Sequence, residues 1–120
     1  MHKFSWKSAL AWALAAFFLF GGIGNILAPE PIAADYRRWG YPDWFHFITG
    51  GLELVVAALL ALTATQFWGA ALGCLVMSGA VATVALHGEY AHALPPLVVL
   101  ALSAVLGWVT PKPWPRRYAA

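Results

Sequence analysis

His46 and Glu53 stand seven residues apart in the stretch HFITGGLE, with Gly50 between them. Seven residues are about two helical turns, so all three share one face of an α-helix. An imidazole and a carboxyl on one face are the side chains of proton exchange, acid–base chemistry or a polar ligand site. Their surroundings are apolar. No charge occurs from Leu54 to Leu86, and none between Lys7 and Glu30. Asn25, in GGIGN, and His87, Glu89 and His92, in HGEYAH, complete the set of polar groups near this pair.

A carboxyl amid so much grease must find a hydrogen-bonding partner or stay protonated, because a charge at the centre of a bilayer costs about 2.5–3.5 kcal/mol or more. A neutral acid can also donate a hydrogen bond, to a helix backbone or to a ligand. Glu53 is therefore read in two ways, as a structural tie between helices or as a ligand, proton or substrate site. His46, His87 and His92 come from separate segments with no diagnostic metal spacing, so no metal is expected, and bis-histidine haem is not favoured. The single cysteine, Cys74, excludes an internal disulfide and a paired-thiol redox motif. No catalytic residue is assigned.

Composition names the solvent. Hydrophobic residues make up 62% of the 120-residue chain and charged residues 10%. A soluble domain of this size cannot hide that much apolar surface, so the chain is expected in a membrane. A net charge of +2, with basic residues only at the chain ends and in one loop, excludes a nucleic-acid partner and fits lipid headgroups.

Four apolar segments are predicted as transmembrane helices, over about 6–27, 44–63, 67–87 and 94–110. The first three fit a ~30 Å hydrocarbon layer and the fourth is short. The break between the second and third falls at Thr63-Ala64-Thr65-Gln66, a turn short enough to force an antiparallel hairpin. Ser5 or Ser8 and Asp43 are expected N-caps, Gly88 a C-terminal cap, and Pro95 and Pro96 first-turn residues. The first segment reads as a span rather than a cleaved leader, since no small-x-small site precedes Ala28-Pro29. The whole chain is thus one all-α membrane domain, a four-helix bundle. Five Lys and Arg residues at the termini oppose Arg37 and Arg38 alone, which predicts both termini cytoplasmic, in a bacterial inner membrane.

This topology puts Asn25, His46, His87, Glu89 and His92 in the outer half, with Glu53 as a floor near the midplane, ~15 Å below Asp43. The first outward loop carries Tyr36, Trp39, Tyr41 and Trp44. Ile32, Tyr36 and Trp39 repeat at helical spacing, predicting a short interfacial helix over about 31–40 that ends at Gly40. Its aromatics are either a belt at headgroup depth or a lid over a pocket. Asn25, His46, Gly50, Glu53 and His87 are the candidate pocket residues, and Tyr36, Trp39, Tyr41 and Trp44 the candidate lid.

The stretches FFLFGGIGNIL, WGYPDWFHFITGGLELVVAALLAL, WGAALGCLVMSGAVATVALHG and PPLVVLALSAVLGWV together resemble the DoxX-like family of small membrane proteins. The resemblance implies four transmembrane helices with both termini inside. It also implies a link to quinone-dependent sulfur oxidation or membrane redox complexes, to which relatives have been tied. Many members carry a lysine where this chain has Asn25, so the salt bridge that a lysine would give Glu53 is missing here. Glu53 is therefore expected to be protonated and hydrogen-bonded to Asn25 or a neighbour.

The leading expectation for function is a small accessory or structural subunit, docked on larger protein partners in a redox or pigment-bearing membrane complex through the Gly69/Gly73 face. The alternatives are a binder of a quinone, isoprenoid or other small lipophile, and a membrane enzyme with Glu53 and His46 as acid and base. No cofactor is required by the residues; a quinone or another lipophile is the class that a polar floor under an aromatic lid would admit.

Overall fold

The computed structural model describes residues 5–114 of the chain. His2, Lys3, Arg116 and Arg117 lie outside the described residues. Five α-helices follow in order: α1 (Trp6–Leu27), α2 (Glu30–Arg38), α3 (Phe45–Ala61), α4 (Gln66–Leu86) and α5 (Leu94–Val109). No strand occurs among the described residues. Helix α1 packs on α3, α3 on α4, α4 on α5, and α5 closes back on α1. The four form a bundle, and α2 lies across the end opposite Ser5 and Trp114, here termed the lid end.

The long helices are apolar on nearly all sides, as bilayer-spanning helices are. Trp12, Phe20, Leu75 and Trp108 face outward without cover. Between the helices, Phe18, Val56, Leu60 and Leu106 are fully buried. Close approach depends on glycine. A Cβ on Gly50 would sit 2.8 Å from the Gly22 carbonyl oxygen, and one on Gly69 2.9 Å from the Leu60 nitrogen. These contacts let the backbones of α1 and α3, and of α3 and α4, touch.

Helix ends follow local rules. The Ser5 hydroxyl accepts from the Ser8 amide at the start of α1. Gly40 and Gly88, both at positive φ, follow the last residues of α2 and α4. At each, two backbone bonds close the end: Gly40 N to Arg37 O and Tyr41 N to Tyr36 O, then Gly88 N to Ala85 O and Glu89 N to Val84 O. Pro95 and Pro96 occupy the first turn of α5. A 3-10 turn at Thr63–Thr65 joins α3 to α4, with the Thr65 hydroxyl on the Leu59 carbonyl at 2.7 Å.

Two expectations change. Asp43 does not cap α3; Trp44 holds that position without a side-chain bond. The chain enters through a turn in which the Phe45 amide bonds to the Pro42 carbonyl, so the helix starts after Asp43. The second span is also shorter than expected, 17 residues in α3, while the fourth is short as expected, 16 residues in α5. The 3-10 turn Tyr90–Ala93 runs straight into α5 and makes a 20-residue apolar unit, Tyr90–Val109. With Trp6–Leu27 and Thr63–Leu86, three helices are long and apolar enough to cross a membrane.

At the termini end, Lys112 Nζ donates to the Gly107, Trp108 and Thr110 carbonyls and closes α5. Phe67, Trp68 and Trp114 cluster beside it, an aromatic group of the kind found at headgroup depth.

Candidate functional site

The polar residues of the lid end assemble around Asn25, near the last turn of α1. Its amide nitrogen has two hydrogens and uses both, one on the Gly21 carbonyl at 3.1 Å and one on Glu53 Oε1. Its side-chain oxygen accepts from the Tyr36 hydroxyl at 2.7 Å. Three helices, α2, α1 and α3, are thus tied by one chain of donors running Tyr36 to Asn25 to Glu53. Burial lifts the Tyr36 phenol above its ordinary range, so it keeps its proton and stays a donor.

Glu53 is 4% exposed. Gly21 makes its seat, since a Cβ there would lie 2.8 Å from Glu53 Oε2. Sequence spacing did not single out Gly21. The available signal was the glycine-rich GGIGN itself, one turn before the asparagine. Among the described residues no group donates to Oε2, and the Glu53 side chain lines a cavity.

That cavity measures about 580 Å³ and lies between the lid-end halves of α3 and α4 under α2. Roughly 300–1,000 Å³ is usual for a small-molecule site. Ile32, Tyr36 and Trp39, the predicted face of the interfacial helix, all line it, as do Tyr41, Asn25 and Glu53. Leu52 and Leu75 line it and are also uncovered, which sets a mouth on the lipid-facing side between α3 and α4.

The lid is held from two sides. Arg38 grips Glu89 with two bonds, Nε to Oε2 at 3.0 Å and Nη2 to Oε1 at 2.8 Å. The Trp39 indole N–H adds a third at 3.1 Å, and His92 stands 3.3 Å from the same carboxylate. The Arg38 guanidinium holds the Glu89 carboxyl down at about 2, well below the usual carboxylate range. Glu89, then Asp35, in turn strengthen the hold of Arg38 on its proton. On the α4 side, the Thr83 hydroxyl donates to the Gly79 carbonyl, so the Tyr41 hydroxyl donates to Thr83, at 2.6 Å.

Other candidate residues sit elsewhere. His46 Nδ1 contacts the Asn25 backbone carbonyl at 2.7 Å. A carbonyl only accepts, so the proton is on Nδ1 and the ring serves as a brace between α3 and α1. His46 shares the Asn25 neighbourhood with Glu53 but does not line the cavity. Gly50 was expected to leave room between them; that space holds α1 instead, with Gly22 and Ile26 against it. His87 is exposed and bonds to the Thr83 carbonyl of its own helix at 2.7 Å. Trp44 faces outward beside Phe45. Among the described residues no three His, Cys, Asp or Glu side chains converge in metal-binding fashion.

No match was found among curated proteins or among solved structures. A family model does match, over residues 9–106, and that span runs from the first turn of α1 to the last turn of α5, taking in the Gly21 seat, Asn25, the lid and Glu53. By that match the chain belongs to the DoxX-like family.

Proposed function

We propose that this membrane protein binds a small lipophilic molecule, which enters from the lipid between α3 and α4 and sets its polar end against Glu53. The observation that carries this reading is Glu53 Oε2, a carboxyl oxygen without a protein partner in a 4% exposed side chain at the wall of a 580 Å³ cavity. A carboxyl oxygen that no protein group fills, on a side chain lining an apolar cavity, fits a ligand group. The orientation proposed with it is both termini cytoplasmic in a bacterial inner membrane, so that the lid faces outward.

The test fills the cavity. A Cβ on Gly79, which lines it, meets nothing within 4 Å, so Gly79→Phe can be accommodated. Native mass spectrometry from mild detergent should show an apolar small molecule retained by the wild type and lost from Gly79→Phe. Equal retention by both would remove the proposal.

The accessory-subunit reading has less support. Its docking face, Gly69 and Gly73, is covered within the chain by Leu59 and Leu60 of α3, Phe18 of α1 and Ser103 of α5. The acid–base reading needs His46 at the cavity, and the ring is turned to the Asn25 carbonyl.

A further inference from the structure

The charges and rings around the cavity narrow the ligand class. Four of the five acidic residues of the chain, Glu30, Asp35, Asp43 and Glu89, lie at the lid end, and Glu53 lies half-way along α3. Among the described residues Arg37 and Arg38 are the only Lys or Arg there, and both are engaged, Arg37 with Glu30 and Arg38 with Asp35 and Glu89. Two acids, Asp35 and Glu53, line the cavity, and no Lys or Arg does. The wall between them is aromatic. Tyr36 has its ring centroid 6.0 Å from that of Tyr41 and 6.3 Å from that of Phe45, and Trp39 stands 5.7 Å away on the other side. Aromatic faces carry negative charge density and attract cations, most strongly where water is excluded.

We propose that the cavity selects a lipophilic monocation, an ammonium or phosphonium centre on an apolar body, with its charge between Glu53 Oε2 and the rings of Tyr36, Tyr41 and Phe45. This rests on the reading of the cavity as a ligand site. An acidic group, an aromatic wall and an apolar body volume are the three parts such a molecule needs. Glu53 supplies the countercharge, the rings supply the face, and Leu52, Leu75 and Val76 supply contact for the apolar part. Glu53, neutral while the cavity holds no cation, gives up its proton to water as the cation binds; a neutral lipophile would use the same volume without drawing that proton off.

The experiment compares two probes of similar shape, methyltriphenylphosphonium and uncharged triphenylmethanol, by calorimetry on the full chain in detergent. The cation is expected to bind at least about tenfold more tightly. Glu53→Gln should erase that preference by weakening the cation far more than triphenylmethanol. Phe45→Leu, which leaves the acid and the bonds of the lid in place, should weaken the cation more than triphenylmethanol. Equal binding of both probes to the wild type overturns the cation proposal while leaving the cavity as a ligand site. Binding of neither probe, with no difference in Gly79→Phe, overturns both. Nanodiscs of phosphatidylcholine and of phosphatidylglycerol separate the sources of a cation. Weakening of the probe only in the choline lipid assigns the same chemistry to a headgroup, and equal affinity in both assigns it to a free amphiphile.

Discussion

Gly21 and Glu53 fit together as seat and occupant: a Cβ on Gly21 would come within 2.8 Å of Glu53 Oε2. The atom it would strike is the far end of a flexible side chain, so Gly21→Ala should shift the carboxyl rather than part the helices. Loss of the Asn25 bond should lower ligand affinity by about tenfold, the equivalent of ~1.4 kcal/mol. Thermal unfolding in detergent should change little. An alanine variant with full affinity would show that the carboxyl position is immaterial.

Adjacent glycines on α3 should respond in opposite ways. Gly50 faces Gly22 and Ile26 with no room for a Cβ, so Gly50→Ala should cost about 1–3 kcal/mol through forced separation of α1 and α3. Gly51 has open space around it, and Gly51→Ala should gain about 0.5–1 kcal/mol from backbone entropy. Equilibrium unfolding of the two variants side by side is the measurement. Equal effects would contradict the α1–α3 packing.

Ser103 is fully buried between helices, and its hydroxyl has no hydrogen-bond partner among the described residues. An unpaired buried hydroxyl lowers stability, so Ser103→Ala should raise the unfolding free energy by roughly 1 kcal/mol. A drop of similar size would mean the hydroxyl is bonded.

The lid should loosen in acid. Glu89 is depressed from its ordinary value of 4.5 to about 2 by Arg38, so its contribution is present above the ordinary value and is lost as pH falls toward about 2. Protection of the α2 amides, taken against intrinsic exchange at each pH, should be high at pH 6 and fall between pH 4 and 2. Salt should weaken the protection, because Arg38 is half exposed. Glu89→Gln should show fast exchange in α2 at every pH. Protection in the wild type that ignores pH would place the hold on the lid elsewhere.

What could be read from the sequence was local. The caps at Gly40 and Gly88, the prolines opening α5 and the one-sided repeat Ile32, Tyr36, Trp39 all depend on residues within two turns of each other, and all stand in the structure. Asp43 as a cap did not, because a Pro42 turn moves the helix start past it. The pairing of Asn25 with Glu53 followed from depth, since two polar groups at one level of an apolar bundle have few other partners. The Arg38–Glu89 grip joins residues 51 apart, and nothing in either neighbourhood signals the other. Gly50 shows the limit of face arguments. Spacing places it on the same side as His46 and Glu53 but does not say which helix presses there.

The length of α3 has a consequence for the surrounding lipid. Its 17 residues rise ~26 Å, while the 22 residues of α1 beside it rise ~33 Å. A bilayer matched to α1 stands too tall for α3, and the shortfall is on the flank where the cavity opens. Lipid must pinch inward there or leave apolar chain ends against the polar approach to α3. Thicker membranes therefore deepen the dimple at the α3–α4 mouth. Membrane thickness becomes a control on access, set by the lipid rather than by any residue of the protein.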